Sequence, residues 1–270
     1  MTRISEKFKE LKKRKKKALV SFISAGDPSV DVSKKILEIL PASGVDIIEL
    51  GIPFSDPMAD GPIIQRSSQR SIHSGFTTQK AFDMVKFFRK SDKKTPIIFM
   101  GYFNPIFQFG LKKFFNEASK VGVDGIIIVD LPPEEEEILN PYIEKKNIDI
   151  IRLITPTTNK KRLNTILKKS GGFLYYVSIM GITGTKVPPL EKVKNSVEKI
   201  KLKNNLPVVV GFGIKTKEQV SSISKFADGS VIGSSLVKII EDSINSGNKK
   251  SLYINIKSFL RKLELSCYYK

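Results

Sequence analysis

The segment DIIELGIPFSDPMADGP, residues 46–62, combines an apolar run that contains a carboxylate with an acidic, proline-rich loop directly after it. Glu49 lies inside the apolar run, where an ionised carboxylate is costly unless it has a partner. Asp56 and Asp60 follow in the loop, whose backbone freedom is restricted by proline. The prolines are Pro53, Pro57 and Pro62. A stiff loop can hold a carboxylate over a bound substrate, and composition alone does not choose between Asp56 and Asp60.

The other residue types narrow the chemistry that this chain can perform. His73 is the one histidine, so a multi-histidine metal site is excluded, as is any histidine triad that does not use His73. Cys267 is the one cysteine, which excludes an intramolecular disulfide and a cysteine metal cluster. Proton transfer then falls to carboxylates or tyrosine, and we expect no bound metal.

Eight short apolar runs along the chain predict the strands that would position these carboxylates. The runs are nearly continuous in apolar residues rather than alternating, which is typical of parallel strands covered on both faces. They are 18–24, 46–50, 96–100, 125–130, 149–154, 173–178, 207–211 and 230–232. Under this interpretation Glu49 lies at the end of the second strand. Its alternative role there is a salt bridge to a neighbouring strand.

The segments between the runs have helical periodicity. Apolar stripes or helix-start signals predict helices near 32–40, 81–88, 111–118, 134–137, 160–169, 189–201, 217–226 and 235–242. Residues 4–16 and 251–265 predict extra helices at the two ends. Eightfold strand–helix alternation favours a single-domain (β/α)8 TIM barrel over residues 1–270. A doubly wound sheet is the alternative, but no G-x-G-x-x-G motif follows the first strand.

Glycines after the seventh and eighth strands predict a phosphate site. Gly211–Gly213 and Gly233–Ser235 occupy the two positions where barrels commonly bind phosphate, and a helix begins beside Ser234. The stretch 181–185 after the sixth strand could close as a lid or be an ordinary surface loop. Large side chains near the strand ends are candidates for either a pocket wall or the core. They are Phe22, Met100, Tyr102, Ile127, Tyr175 and Phe212.

The charge of the chain bears on its partners. Among 270 residues, 46 are basic and 27 acidic, which gives a formal charge of +19. Lysine is spread through every segment, and the densest run, 12–17, is interpreted as the solvated end of a helix rather than a nucleic-acid patch. No apolar stretch is long enough for a signal region or a membrane span. We therefore expect a cytoplasmic protein without nucleic-acid or membrane partners.

Several motifs together resemble the tryptophan synthase alpha chain family. The run ELGIPFSDPMADGP (49–62) resembles that family almost residue for residue, and further runs match in the same order. These are SFISAGDP (21–28), VGVDGIIIVDLPPEE (121–135), YYVSIMGITGT (175–185), GFGI (211–214) and GSSLVKII (233–240). The resemblance covers roughly residues 5–245. It implies a (β/α)8 barrel and a lyase of tryptophan biosynthesis, which reversibly cleaves indole-3-glycerol phosphate to indole and glyceraldehyde 3-phosphate.

The resemblance also implies roles for individual residues. Glu49 matches the family's acid–base glutamate, and Asp60 matches the aspartate that binds the indole N–H. Pocket positions match Phe22, Met100, Ile127, Tyr175, Thr183 and Phe212, and phosphate-binding positions match Gly184, Gly213, Gly233 and Ser234. The family usually has an arginine in the loop after the sixth strand, where this chain has Ile179.

The family implies a partner but no cofactor on this chain. Its beta chain carries pyridoxal phosphate and receives indole directly within an α2β2 tetramer. The 53–58 loop and the 104–109 stretch would lie on the partner face. Three rival hypotheses remain at this stage: another phosphate-binding barrel, a catalytically idle subunit that only activates a beta chain, and a basic nucleic-acid-binding protein. If the chain were such a barrel of the indole-3-glycerol phosphate synthase type, it would need a catalytic lysine at a strand end, and the eight runs contain no lysine.

Overall fold

Parallel strands form a nearly closed barrel in the computed structural model of the chain. The structure describes residues 2–144, 146–178, 189–211, 213–247 and 249–268, with the side chains of 249 and 250 excepted. Within these residues there are nine strands. They are β1 Ala18–Ser24, β2 Ile47–Gly51, β3 Ile97–Gly101, β4 Gly125–Ile128, β5 Asp149–Ile150, β6 Arg152–Ile154, β7 Leu174–Val177, β8 Val208–Gly211 and β9 Gly229–Ile232.

The strand order shows how the sheet closes. It runs β5-β4-β3-β2-β1-β9-β8-β7-β6, and every pairing is parallel. The two end strands, β5 and β6, are separated in sequence by Ile151 alone, and the Ile151 N–H donates to the Ile126 carbonyl at 3.0 Å. They are two halves of the run predicted at 149–154. The predicted (β/α)8 barrel is confirmed, with its fifth strand divided in two.

Helices surround the barrel, and their starts follow ordinary capping chemistry. Ser29, Asn159 and Thr216 each accept a backbone N–H at the start of a helix, and Thr216 forms a capping box with Gln219. The helices are α1 Arg3–Lys13, α2 Val30–Ala42, α3 Pro62–His73, α4 Thr78–Phe88, α5 Phe103–Phe109, α6 Leu111–Val121, α7 Asn140–Ile143, α8 Lys160–Lys168, α9 Leu190–Lys201, α10 Lys217–Ser224, α11 Ser234–Asn245 and α12 Lys249–Glu264.

The end helices α1 and α12 confirm the predicted additions to the barrel. The helix predicted to open at Glu134 is instead a 3-10 helix, Pro133–Leu139. Among the described residues, no helix is both long and apolar enough to cross a membrane.

The strands bury side chains on both faces, which creates two apolar layers. One layer fills the barrel interior and includes Val20, Ile47, Ile98 and Val209. The other lies between the outer face of the sheet and the helices. Because side chains alternate along a strand, Glu49 shares its direction with Ile47 and projects into the interior. The fold thus places a carboxylate inside an apolar barrel.

The lysine run at 12–17 contains a buried residue that the sequence interpretation missed. Helix α1 ends at Lys13, and Lys16 is only 4% exposed. Its ammonium lies 3.0 Å from Asp46 Oδ1 and 3.2 Å from Glu264 Oε1. Asp46 also accepts the Leu19 N–H at 2.9 Å. The interpretation of this run as a solvated helix end was therefore wrong for Lys16, which ties α12 to the start of β2.

We expect Lys16→Met to lower the free energy of unfolding by about 3–5 kcal/mol, because it leaves Asp46 buried without its opposite charge. The exposed Lys13 is the matched control, and Lys13→Met should change this free energy by no more than about 0.5 kcal/mol. Urea titrations followed by circular dichroism measure both. Equal effects of the two substitutions would contradict a structural role for the buried ammonium.

Candidate active site

A narrow cleft opens at the carboxyl ends of the first four strands. This is the end of a barrel at which enzymes of this architecture place their chemistry. Its walls come from strand ends and from the segment that leads into α3. The lining residues are Phe22, Ser24, Gly51, Ile52, Asp60, Ile64, Ser68, Met100, Gly101, Tyr102 and Val129.

Glu49 lies on β2, two residues before the lining residue Gly51, and is 0% exposed. Neither carboxylate oxygen has a hydrogen-bond partner among the described residues. The alternative of a salt bridge to a neighbouring strand is therefore wrong for the described part of the chain. Burial, followed by the charge of Asp60, raises the pKa of Glu49 to about 8. At neutral pH the side chain is mostly a neutral acid that can donate a proton.

Asp60 faces the cleft, and its loop is held by backbone and side-chain hydrogen bonds. The Asp60 N–H donates to the Pro57 carbonyl at 3.0 Å, and Gln65 Nε2 donates to the Asp60 carbonyl at 2.9 Å. Burial raises the pKa of Asp60 to about 6, although a hydrogen bond with Tyr102 opposes this rise. Asp56 is exposed and does not line the cleft. Tertiary structure thus distinguishes two aspartates that composition could not.

Tyr102 is a polar site residue that sequence reasoning treated only as a possible wall. Its hydroxyl accepts the Ala59 N–H at 3.0 Å and lies close enough to Asp60 to lower the pKa of that carboxyl. Its ring packs against Phe54, with centroids 5.4 Å apart. The sequence signal for this role was a hydroxyl one residue beyond β3, at a strand end that faces the cleft. Tyr102 therefore connects the Asp60 loop to the end of β3.

The predicted apolar residues occupy two levels of the barrel. Phe22 and Met100 line the cleft, whereas Ile127 and Tyr175 belong to the buried interior. The ring of Phe22 occupies the space beside Gly51, where a Cβ atom would lie 2.5 Å from its Cζ. In the same way Gly211 leaves room for the Tyr175 ring. Burial and the Glu49 charge both raise the pKa of Tyr175, as expected for neighbouring groups.

The candidate phosphate cradle lies where α11 begins. Gly233 and Ser234 are half-buried there, and the first turn of the helix carries no acidic residue. Gly213 has φ +78°, a conformation that favours glycine. Ser235 Oγ donates to the Ile214 carbonyl at 3.1 Å, which connects the loops after β8 and β9. Together with the helix N-terminus, this geometry suits an anion.

Three predicted binding residues, Thr183, Gly184 and Phe212, lie outside the described residues, as does Ile179. Within the described ranges, no group of three or more His, Cys, Asp and Glu side chains is arranged to hold a metal ion.

Comparison with known proteins identifies the family. The family model described as tryptophan synthase alpha chain matches residues 8–265. The chain belongs to the tryptophan synthase alpha chain family. Tryptophan synthase subunit alpha from Legionella pneumophila str. Paris is 37% identical, with a TM-score of 0.92 over 99% of this chain and 98% of that one.

Two further solved structures are similar to this alpha chain. A protein from Aquifex aeolicus VF5 is 36% identical with a TM-score of 0.90, and all of both chains is covered. A chain of Mycobacterium tuberculosis tryptophan synthase is 27% identical with a TM-score of 0.90, covering 100% of this chain and 99% of that one.

As a member of this family, the alpha chain is a carbon–carbon lyase of tryptophan biosynthesis. It reversibly cleaves indole-3-glycerol phosphate by a retro-aldol reaction to indole and glyceraldehyde 3-phosphate. The fold, family and reaction expected from the sequence motifs are confirmed. The family implies no cofactor on this chain.

The raised pKa of Glu49 predicts a stability cost that depends on pH. The unfolded chain ionises Glu49 near pH 4.3, whereas the folded alpha chain holds its proton until about pH 8. The folded protein therefore binds more protons in this window, and the stability that Glu49 contributes falls as pH rises through it. Relative to wild type, Glu49→Gln should gain stability between these pH values and no more above them.

Urea unfolding of both proteins at several pH values measures this difference. Glu38→Gln is the control, because it makes the same replacement at a glutamate that is exposed on α2. A difference between Glu49→Gln and wild type that stays constant from pH 5 to 9 would contradict a neutral, buried Glu49.

Proposed function

We propose that Glu49 is the acid–base residue of the cleavage and that Asp60 stabilises the charge on the indole ring. The observation that carries this proposal is a pair of carboxyls near the cleft, Glu49 fully buried and Asp60 half-buried, whose pKa values are raised to about 8 and about 6. Such a pair supplies one neutral acid and one carboxylate at neutral pH. Paired carboxyls with separated pKa values are typical of acid–base sites.

The proton balance of the reaction matches one carboxyl used twice. The neutral Glu49 carboxyl donates its proton to indole C3, and the carboxylate that remains accepts the proton of the glycerol hydroxyl beside the breaking bond. The C–C electron pair returns to the ring as the aldehyde forms. Indole and glyceraldehyde 3-phosphate leave, and Glu49 is again protonated. A pKa near 8 suits both halves of this cycle.

Asp60 acts on the opposite edge of the ring. Protonation at C3 places positive charge on the indole nitrogen, and the Asp60 carboxylate accepts the N–H hydrogen bond. Tyr102 and the Ala59 N–H hold this loop in place, so the carboxylate is oriented before the charge develops. Met100 and Phe22 form apolar walls for the ring.

The substrate phosphate is assigned to the start of α11. Gly213, Gly233 and Ser234 supply a cradle of backbone N–H groups and one hydroxyl, strengthened by the helix dipole. From the family resemblance, Thr183, Gly184 and Phe212, which lie outside the described residues, are also proposed to bind the substrate, and Ile127 and Tyr175 are proposed for its apolar wall. Binding the two ends of the substrate in separate subsites orients the bond that breaks between them.

We expect Glu49→Gln to lower kcat by about 10²–10⁴-fold, because the amide neither donates nor accepts the transferred proton. Asp60→Asn should also lower kcat by about 10²-fold through loss of the ring charge partner. Indole release from indole-3-glycerol phosphate by the purified chain measures both. Asp56→Asn is the matched control, since Asp56 lies exposed in the same loop, and it should retain wild-type rates.

Near-normal cleavage by Glu49→Gln would overturn the acid–base assignment. Absence of cleavage in wild type, both alone and with an added beta chain, would favour the idle-subunit hypothesis instead.

We also propose that the chain works with a tryptophan synthase beta chain in an α2β2 tetramer and that pyridoxal phosphate belongs to that partner. Two large apolar side chains support a docking face near the cleft. Met58 is 65% exposed in the 53–58 loop, and Phe107 is 51% exposed on α5. Both follow the carboxyl ends of neighbouring strands, and exposed apolar residues of this size favour a protein interface.

The double substitution Met58→Ser and Phe107→Ser should weaken beta-chain binding at least tenfold, since about 1.4 kcal/mol of apolar burial is lost. Titration of the beta chain by isothermal calorimetry measures the dissociation constant. The control is Leu202→Ser, which removes an 86% exposed apolar side chain beyond the end of α9. Equal weakening by the control variant would mean that the face is wrongly placed.

The remaining expectations concern domain organisation, location and partners. We propose that residues 1–270 fold as a single domain, because one connected apolar core includes side chains from Leu19 to Cys267. The cytoplasmic location and the absence of nucleic-acid partners, both expected from the sequence, stay predictions.

A further inference from the structure

Four charged side chains form an ion-pair cluster behind the candidate active site. Arg66 and Arg70 lie on α3, Glu241 lies on α11, and Asp27 lies in the turn after β1. Arg66 donates Nε and Nη2 to the two oxygens of Glu241 at 2.7 and 2.9 Å. Arg70 donates Nε and Nη2 to the two oxygens of Asp27 at 2.8 and 2.9 Å, and Nη1 to Glu241 at 2.9 Å.

The burial and geometry of this cluster make it stiff. The carboxylates of Asp27 and Glu241 are 1% and 7% exposed. Each accepts two parallel N–H groups from one guanidinium, an arrangement that fixes orientation as well as distance. Hydrogen bonds from Arg66 are the largest cause that lowers the pKa of Glu241 to about 2, so this carboxylate is ionised at neutral pH. Neither helix can shift along the other without breaking these bonds.

The two helices lead to opposite ends of the proposed substrate site. Helix α3 begins two residues after Asp60, and its Gln65 holds the Asp60 carbonyl at 2.9 Å. Helix α11 begins at Ser234, and Glu241 lies about 10 Å further along the same helix. A rigid contact between Glu241 and α3 therefore sets how far the Asp60 loop lies from the phosphate cradle.

We propose that the cluster of Asp27, Arg66, Arg70 and Glu241 is a positioning device that fixes the spacing between the Asp60 loop and the phosphate cradle. This inference rests on the proposed function of these two subsites. A substrate that is held at both ends gains rate only when the subsites match its length. None of the four side chains lines the described part of the cleft or belongs to the described cradle residues Gly213, Gly233 and Ser234, so loss of the cluster should spare the binding of each end by itself and impair the whole substrate.

The test compares the whole substrate with probes for each end. We expect Glu241→Gln to lower kcat/KM for indole-3-glycerol phosphate about 10- to 100-fold, while inhibition constants for inorganic phosphate and for indole change less than about threefold. Arg70→Lys should give the same pattern, because an ammonium keeps the charge but does not bridge two carboxylates in fixed geometry.

Asp242→Asn is the matched control. Asp242 follows Glu241 on α11, its substitution removes the same charge, and its carboxylate pairs at 2.7 Å with Lys238. Lys238 also lies 3.4 Å from Glu241 on the same helix, and Asp242→Asn removes neither that contact nor any bond between α3 and α11. This variant should keep wild-type kcat/KM. If Glu241→Gln does not fold, as judged by near-ultraviolet circular dichroism, Arg66→Gln replaces it. Arg66 is partly exposed, and its substitution removes only the ion pair between Arg66 and Glu241.

Two outcomes would overturn the positioning role. Unchanged kcat/KM in both cluster variants would mean that the spacing does not depend on these ion pairs. A parallel loss of affinity for phosphate and indole would mean that the cluster supports folding in general. Failure of the proposed function is distinct, since it would appear as full activity in Glu49→Gln or as no cleavage by wild type.

Discussion

The Glu49 carboxyl is fully buried in the barrel interior, and neither of its oxygens has a hydrogen-bond partner among the described residues. Burial without a partner disfavours the ionised form, and the nearby Asp60 disfavours it further. The protein therefore holds a neutral acid at a pH where an exposed glutamate is a carboxylate. The apolar interior that imposes this state is supplied by strands all around the barrel, so the chemistry of one side chain depends on the closure of the sheet.

Burying the Glu49 carboxyl lowers the stability of the fold, and interactions elsewhere in the molecule offset this loss. Apolar layers lie on both faces of the sheet, and the opposite end of the barrel is joined by the Lys16, Asp46 and Glu264 ion pairs. In barrels of this type the amino-terminal end serves stability and the carboxyl end serves function. This chain follows that division in part, because its unpartnered carboxyl lies near the cleft and the Lys16, Asp46 and Glu264 ion pairs lie at the far end, whereas the paired Asp27 and Glu241 lie at the cleft end.

The site itself is assembled from side chains that are distant in sequence. The Asp60 loop is held by Tyr102, which accepts the Ala59 N–H, and the start of α11 is joined to the loop after β8. The ion pairs between α3 and α11 extend this dependence to residues outside the cleft. Catalysis of a reaction that breaks one bond between two bound ends needs such spacing to be rigid, since a small displacement separates the reacting atoms from the groups that act on them.

Sequence alone determined the barrel and the residue types of its site, because strand and helix periods and the 46–62 motif are local properties of the chain. It placed seven of the eight strands as single elements, and it put Glu49 on the second strand, although at its end rather than in the middle of β2, where the structure has it. Composition did not distinguish Asp60 from Asp56, which in the sequence only the family resemblance did, and sequence reasoning missed the hydroxyl of Tyr102 and the burial of Lys16. Those features arise from contacts between residues far apart in sequence, and burial and pKa values are set by such contacts. Only the tertiary structure decided which ionisable side chains lie buried, which of them are paired, and that the Glu49 carboxyl has no partner among the described residues.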